Sequence, residues 1–415
     1  MPPPSALTRQ NKTADPSIAN DGVLPTDVLH DVLLCLPANV LCRLRLVCQS
    51  WRSLTLDPSF ALAHASCHPL VVGIHLSQNC CEVQLVDLSG NVIRRLPVAQ
   101  PVYDLNAQLD LICVSAVNGC LSYILNSVTG KVTTLPDGIS FSDSACCVAS
   151  FQSILGKVPD NYDLIRSTSP SLLGHVPSTG EYKVLQTNSY CDTHNGERDN
   201  FIRTCNVLTL SGCGGRWRAR QLPHPVQTPI IGRNNKVVLD GVAYFFVGQF
   251  YDDNFNGDLD SIGSFDMVTE QWRPMVLRGP LSSHVSIANK KLKFNPRREN
   301  LQLVVMNGCL VIVHHMSRDC SMDLWFLVDM DVHKGLWTKR YSMRCQPRCE
   351  LHAYRPPCPL HVLNDGRILV WGAEQERVLK VYDPRTSLWA NLYSMERYGF
   401  VRMHIGSLLC SGLQR

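Results

Sequence analysis

One short pattern of turn and strand residues recurs along most of this 415-residue chain, and it constrains the fold more than any other feature. A copy begins with Asp-Gly or Asn-Gly, which favours a tight turn between antiparallel strands, and continues into an apolar stretch. A second strand then ends in an Asp-x-x-Thr or Thr-Gly turn, and a third begins at a tryptophan or just before Leu-Pro. The opening pairs are Asp240-Gly241, Asn307-Gly308, Asp365-Gly366 and Asn118-Gly119, and residues 86–97 and 177–180 carry the weakest copies.

The spacing of the later copies predicts the architecture. Trp217, Trp272, Trp337 and Trp389 are separated by 55, 65 and 52 residues. Blades of β-propellers run about 50 residues in the kelch type and about 40–45 residues in the WD type. The roughly 345 residues after Cys67 therefore predict a mainly β chain, folded as an irregular kelch-like β-propeller of about six to eight blades.

The first part of the chain has a different pattern. Residues 1–20 are polar and rich in proline, which is typical of a disordered tail. Residues 21–66 carry apolar side chains at helical spacing, interrupted at Pro37 and at Asp57-Pro58. Thr26 is the candidate N-cap of the first helix. The sequence thus predicts a domain of three short helices at 21–66, followed by the propeller at 67–415.

This helical segment has more apolar residues than so small a bundle can bury, because domains of about this size are marginal alone. Two explanations stay open from the pattern. A partner protein covers the surplus, or the helices dock onto the chain's own C-terminal domain. In the second case Phe60 and Leu62 are candidates for bridging the two parts.

The helical segment resembles the F-box motif. The resemblance rests on Leu24-Pro25, on Leu36-Pro37, and on Val47-Cys48 with Trp51 three residues later, trailed by Asp57-Pro58-Ser-Phe60. Gln49 departs from it, since the family often has a basic residue there. The rest of the chain is similar, more loosely, to the kelch-like F-box-associated domains common in plant F-box proteins.

The resemblance implies a subunit of an SCF-type ubiquitin ligase. The F-box would bind the Skp-family adaptor, and through it a cullin, while the propeller would hold an unidentified substrate protein for ubiquitination. Such a chain is a substrate adaptor and not an enzyme. The residues expected to face or support the adaptor are Leu24, Pro25, Leu29, Leu36, Pro37, Val47, Cys48 and Trp51. Substrate specificity would lie in loops such as Tyr251–Leu259, Asn188–Asn200 and Lys290–Asn300.

Composition limits the other function classes. The net charge of +4 is too small to predict a nucleic-acid partner. No uninterrupted apolar run reaches the length of about 18 residues that predicts a membrane span, and the N-terminus lacks the apolar region of a secretory signal. The 19 cysteines are therefore expected to be free and mostly buried thiols in an intracellular protein of the cytoplasm, the nucleus or both.

No nucleophile motif or phosphate-binding loop stands out, and no cofactor is expected. One group of soft ligands is a zinc candidate, because zinc takes four thiolate or imidazole ligands. Its members are Cys345, Cys349, His352, Cys358 and His361. His314 and His315 are neighbours in a strand, so one is expected in the core and one on the surface. Two alternatives to the ligase subunit stay open: an F-box scaffold acting outside a ligase, and a propeller enzyme with a metal site.

Overall fold

The structure, a computed structural model, describes the larger part of the chain. The described residues are 25–77, 81–116, 121–136, 164–168, 170–192, 201–210, 215–220, 236–247, 260–281, 301–316, 320–329, 335–344, 356–372, 377–404, 406 and 408–409. Within them, four helices come first and 25 strands follow. The chain is mainly β, as the sequence predicted.

The four helices are short and follow one another closely. They are α1 (Thr26–Leu34), α2 (Ala38–Leu44), α3 (Gln49–Leu56) and α4 (Pro58–Cys67). The N-cap position of α1 is occupied by Pro25 and not by Thr26, which begins the helix. The sequence predicted three helices and an end at Asp57-Pro58, whereas this dipeptide begins α4. Asp57 caps the new helix by accepting from the Ser59 amide at 2.7 Å, and proline is favoured at the first helical position.

The strands form six antiparallel sheets, the blades of a propeller. Blade 1 has β1 (Leu70–Leu76), β2 (Cys81–Asp87), β3 (Val92–Val98) and β25 (Tyr398–His404). Blade 2 has β4 (Val102–Gln108), β5 (Leu111–Ala116), β6 (Ser122–Asn126) and β7 (Val132–Thr134). Blade 3 has β8 (Leu164–Thr168), β9 (Leu172–Val176), β10 (Glu181–Asp192), β11 (Phe201–Leu210) and β12 (Arg218–Arg220).

The remaining strands complete the ring. Blade 4 has β13 (Lys236–Leu239), β14 (Val242–Phe246), β15 (Ile262–Asp266) and β16 (Gln271–Trp272). Blade 5 has β17 (Leu301–Met306), β18 (Cys309–Met316), β19 (Ser321–Asp329) and β20 (Leu336–Arg344). Blade 6 has β21 (Cys358–Val362), β22 (Ile368–Gly372), β23 (Val378–Asp383) and β24 (Leu388–Ser394).

The two ends of the propeller meet in blade 1. Strand β25, the last strand in the described ranges, pairs antiparallel with β1, and Leu70 lies opposite His404. The innermost strands of the blades also contact one another in a closed circle, in the order β25, β4, β9, β13, β17, β21. Asparagine side chains join some of these neighbours: both amide atoms of Asn307 bond the backbone of Val362, at 2.8 and 2.9 Å. The pairing of β25 with β1 gives blade 1 four strands, the number found in blades 2, 4, 5 and 6.

The repeated turns of the sequence have the conformations that their residues favour. Asp240-Gly241 and Asn307-Gly308 each join two strands through a two-residue loop with positive φ at both positions, the geometry of a type I′ turn. The Asp-x-x-Thr turns lie between the third and fourth strands, and a carboxylate such as Asp266 accepts from the amides of Val268 and Thr269. The copy at 177–180 is an exception, because it joins β9, the innermost strand of blade 3, to β10.

The repeated tryptophans join adjacent blades. In three of them the indole Nε1 donates to a backbone carbonyl that ends the preceding blade. The pairs are Trp217 to Pro136 at 2.9 Å, Trp337 to Arg278 at 2.9 Å and Trp389 to Arg344 at 2.8 Å. Each ring also covers apolar surface between outer strands, so the tryptophan spacing marks successive blade junctions.

Charged side chains join blades 3 and 4. Glu270, on the turn before β16, accepts from the Nζ of Lys183 at 3.0 Å and from the guanidinium groups of Arg218 and Arg220. Glu270 and Lys183 are both buried. Burial acts to raise the pKa of Glu270, but hydrogen bonds from Arg218, Lys183 and Arg220 outweigh it and hold the pKa at about 2. The carboxylate therefore stays ionised between the blades.

The apolar core is divided among the junctions between blades. Five clusters of buried residues each lie between adjacent blades, and the largest spans blades 5, 6 and 1. Inner strands such as β18 are covered on both faces by neighbouring blades, so consecutive residues in such a strand can both be buried. His314 and His315 are both buried, so the prediction that one lies on the surface is wrong.

Candidate functional site

The four helices enclose a small apolar core. Its buried residues are Leu33 of α1, Leu41 of α2, Phe60 of α4 and, from the far end of the chain, Leu409. Further leucines and Trp51 pack around these four. Leu33 is therefore a core residue, and the C-terminal segment contributes to this core.

Polar contacts fix the helices to one another. The ring Nε2 of His64 bonds the Leu36 carbonyl at 2.8 Å, and that of His68 bonds the Leu34 carbonyl at 2.9 Å. His64 lies on α4, and His68 directly follows that helix. Leu34 ends α1 and Leu36 lies two residues beyond it, in the region where helical carbonyls lack intrahelical partners. The fourth helix thus completes the end of the first.

Helix α1 has apolar side chains on two faces. Leu29 and Leu33 face the core, whereas Val28 and Val32, one position earlier in each case, are 45% and 46% exposed. Residues four apart lie on the same side of a helix. Val28 and Val32 therefore form an outward apolar stripe that is not part of the core.

The turn between α2 and α3 is the most exposed apolar part of the domain. Leu46 is 89% exposed and Val47 is 63% exposed. Cys48 follows as the N-cap of α3, and its Sγ accepts from the Trp51 amide at 3.5 Å. Within the described part of this domain these side chains have no apolar cover, and exposed apolar clusters commonly mark interaction sites.

The eight residues predicted to face or support an adaptor fall into three groups. Pro25, Pro37, Val47 and Cys48 are exposed. Leu29, Leu36 and Trp51 are partly buried and pack against the helical core. Leu24 lies outside the described residues. Val28, Val32 and Leu46 are exposed as well, although they were not predicted to face a partner. A stripe of apolar residues in the sequence does not show which of its members are buried in the core.

The thiols of the helical domain differ from the prediction of mostly buried cysteines. Cys35, Cys42, Cys48 and Cys67 are free and exposed. In the propeller, Cys81, Cys113, Cys205 and Cys358 are free and buried, which matches the prediction. The small core of the helices leaves no room for these four side chains.

Comparison with known families assigns both parts of the chain. A family model described as F-box-like matches residues 22–61. A second model, described as the F-box associated beta propeller domain, matches residues 91–386, more than two thirds of the chain. The chain belongs to this F-box associated β-propeller family. Helices α1–α4 are accordingly its F-box, and blades 1–6 are its F-box-associated propeller.

Solved structures also align with the chain at low identity. Solved structures that align with the chain include the dihydro-heme d1 dehydrogenase NirN in complex with DHE, with 11% identity over 82% of this chain and 76% of that one, TM-score 0.34. Apo AztD from Citrobacter koseri has 11% identity over 81% and 98%, TM-score 0.35. A nidogen/laminin complex has 11% identity over 81% and 98%, TM-score 0.37. No curated protein matches the chain.

The zinc candidate is only partly within the described residues. Cys345, Cys349 and His352 lie outside them, whereas Cys358 and His361 lie on β21. The Cys358 thiol is buried and its Sγ lies 3.6 Å from the Arg402 guanidinium; burial raises its pKa. Among the residues that the structure describes, no group of three or more His, Cys, Asp or Glu side chains could hold a metal ion.

The predicted substrate loops lie mostly outside the described residues. Tyr251–Leu259 and Lys290–Asn300 fall wholly outside. In Asn188–Asn200, residues 188–192 continue strand β10 and pair with β8. None of the helices in the described ranges has the length and hydropathy that a membrane crossing requires.

Proposed function

We propose that this chain is the substrate-recognition subunit of an SCF-type ubiquitin ligase. Its F-box binds a Skp-family adaptor, which connects it to a cullin, and its propeller binds the protein to be ubiquitinated. The chain holds two proteins together and contributes no reacting group. The F-box-like match and the propeller family support this division of roles.

The exposed turn at Leu46 and Val47 is the observation that carries the adaptor role. Burying an apolar side chain of this size is worth about 1.5–3 kcal/mol, so two adjacent exposed ones are a substantial source of binding energy. Pro37 and the outward stripe of α1 add apolar surface on the same small domain. A partner that covers these exposed side chains accounts for the surplus of apolar residues in the helical segment.

The propeller is proposed as the substrate receptor because its blades form a rigid support for variable loops. Its blades are joined by indole hydrogen bonds, by the Glu270 contacts and by apolar clusters, all of which hold the loop ends in place. The role in a ligase places the protein inside the cell, in the cytoplasm, the nucleus or both.

The adaptor role is tested with a charge in the exposed turn. Full-length protein is co-purified with the Skp-family adaptor as the wild type, as Val47→Asp and as Val328→Asp, a matched valine that is 52% exposed on the propeller. We expect Val47→Asp to weaken binding at least about thirtyfold, as a central contact residue does, and Val328→Asp to bind like the wild type.

Two results would contradict the role. The first is a folded wild type that does not bind the adaptor. The second is a Val47→Asp variant that binds as tightly as Val328→Asp. Thermal unfolding of both variants shows whether a loss of binding has come from a loss of fold.

A further inference from the structure

The F-box and the propeller are connected twice at one place. Helix α4 ends at Cys67, and only His68 and Pro69 separate it from β1. Strand β1 begins at Leu70, which lies opposite His404, the last residue of β25. The end of the closing strand is therefore brought next to the base of the F-box.

After β25 the chain crosses blade 2 at close range. A Cβ at Gly406 would overlap the backbone carbonyl of Leu109, in the turn between β4 and β5, so this position needs glycine. Leu408 packs against the apolar cluster between blades 1 and 2. The segment is thus seated on the propeller before it reaches the helices.

The next side chain belongs to the other domain. Leu409 is 2% exposed and lies in the F-box core with Leu33, Leu41 and Phe60. Leu408 and Leu409 are adjacent: the first packs against the core of the propeller, and the second is buried in the core of the F-box. They make a direct apolar connection between the propeller and the F-box.

We propose that Gly406, Leu408 and Leu409 form a C-terminal clamp that completes the F-box and fixes its position on the propeller. The three other fully buried side chains of that core come from the F-box itself, so the clamp supplies a quarter of it. A domain of this size is marginal without added contacts. Leu409 is a positioning residue: it acts on the adaptor through the helices.

The clamp couples two events in the chain. Leu409 reaches the F-box only when β25 has closed blade 1, because the two are separated by a few residues. A chain whose propeller is open lacks one side of its F-box core. If the F-box binds a Skp-family adaptor, as proposed above, the adaptor then favours chains with a closed propeller.

The test uses hydrogen exchange of the full-length protein without any partner. The variants are Leu409→Ala, the conservative Leu409→Met, and Leu388→Ala, a matched control at a leucine that is 67% exposed on blade 6. Removing a buried leucine side chain from a core typically costs enough to speed local opening at least about tenfold. We expect that increase in α1 and α4 of Leu409→Ala, with unchanged exchange in blades 3–5.

The conservative variant and the control separate positioning from general damage. Leu409→Met should restore protection of α1 and α4, because methionine fills a similar volume, and Leu388→Ala should match the wild type. Unchanged exchange of α1 and α4 in Leu409→Ala would overturn the clamp. If Leu409→Ala does not fold, Leu409→Val, which removes one methylene, is measured in the same way.

Adaptor affinity then separates the clamp from the proposed function. A clamp that positions the F-box predicts weaker adaptor binding by Leu409→Ala and full binding by Leu409→Met. If the wild type binds no adaptor while the exchange results are as expected, the ligase role fails and the clamp stands. If the wild type binds and Leu409→Ala shows wild-type exchange and affinity, the clamp fails and the ligase role stands.

Discussion

The F-box and the propeller bury their apolar residues in different ways. The core of the F-box has three buried side chains from its own helices and a fourth, Leu409, from the C-terminal segment. Its Leu46 and Val47 remain exposed. The propeller distributes its apolar residues over five clusters between blades and buries charged and polar groups among them, such as Glu270 and His315.

The difference follows from which side chains each kind of fold can bury. A sheet that is covered on both faces has to bury polar side chains, and it keeps them by pairing or by holding them neutral. A small helical bundle cannot bury all of its apolar residues, so some remain for a partner. The propeller buries its apolar clusters between its own blades, whereas the F-box core includes Leu409 and leaves other apolar side chains exposed.

The largest expected effect of this difference is in thiol reactivity. Cys35, Cys42, Cys48 and Cys67 of the F-box should react with a thiol reagent in the native protein, since they are exposed. Cys113 should react at least about a thousandfold more slowly, because its reaction needs the blades to open and because burial raises its pKa to about 12. Peptide mapping after timed labelling measures both rates.

The same labelling sharpens the comparison when the adaptor is present. Adaptor should slow the labelling of Cys48, which lies in the proposed contact turn, and leave the buried propeller thiols as they were. Equal labelling rates for Cys48 and Cys113 in the native protein would show that the two regions do not differ in this way.

The sequence allowed the propeller to be predicted because its signals are local. Asp240-Gly241 and Asn307-Gly308 determine their own turns through side chains that tolerate positive φ, so the strands on either side follow. The tryptophan spacing acts between neighbouring blades in the same way, since three of the four indoles bond the blade just before them in the chain. Six blades lie within the predicted range of six to eight.

What the sequence missed depends on contacts between distant residues. Nothing near Leu409 in the sequence indicates that it enters a core formed by residues 33–60. The burial of both His314 and His315 follows from blades packing on each face, which strand alternation does not show. The fourth helix was missed because Asp57-Pro58 is typical both of an end and of a beginning, and the cap on Ser59 decides between them.

The second expected effect is on the stability of the propeller. Glu270→Ala removes the carboxylate bonded to Lys183, whose side chain is 8% exposed, and leaves that ammonium group buried between blades 3 and 4. Removing one partner of a buried ion pair costs about 3–5 kcal/mol. Urea unfolding should show a loss of that size in the free energy of unfolding.

An exposed ion pair is the control for this prediction. Asp365 and Arg367 are paired in the same way on the surface of blade 6, with side chains that are 49% and 46% exposed. Asp365→Ala should change the free energy of unfolding by less than about 1 kcal/mol. Similar losses in the two variants would mean that burial between blades does not govern the strength of these contacts.

The smallest expected effect is the loss of stability at low pH. It differs between the two regions because their buried histidines differ. Burial, with a further contribution from His314, lowers the pKa of His315 from 6.5 to about 3. The unfolded chain therefore binds more protons than the folded one between these values, and stability falls as the pH falls below about 6.5. At pH 5 the loss from His315 is about 2 kcal/mol relative to pH 7, since each unit of pKa difference is worth 1.36 kcal/mol.

His315→Leu removes this titration from the propeller, so its free energy of unfolding should fall by about 2 kcal/mol less than that of the wild type between pH 7 and pH 5. In the F-box, burial also lowers the pKa of His64, but the hydrogen bond to the Leu36 carbonyl opposes the shift. His64→Leu should therefore leave most of the acid sensitivity in place. The comparison is between losses within each variant, so a constant change in stability from either substitution cancels. Equal acid sensitivity in the wild type and His315→Leu would show that the neutral histidine between the blades is not what acid disrupts.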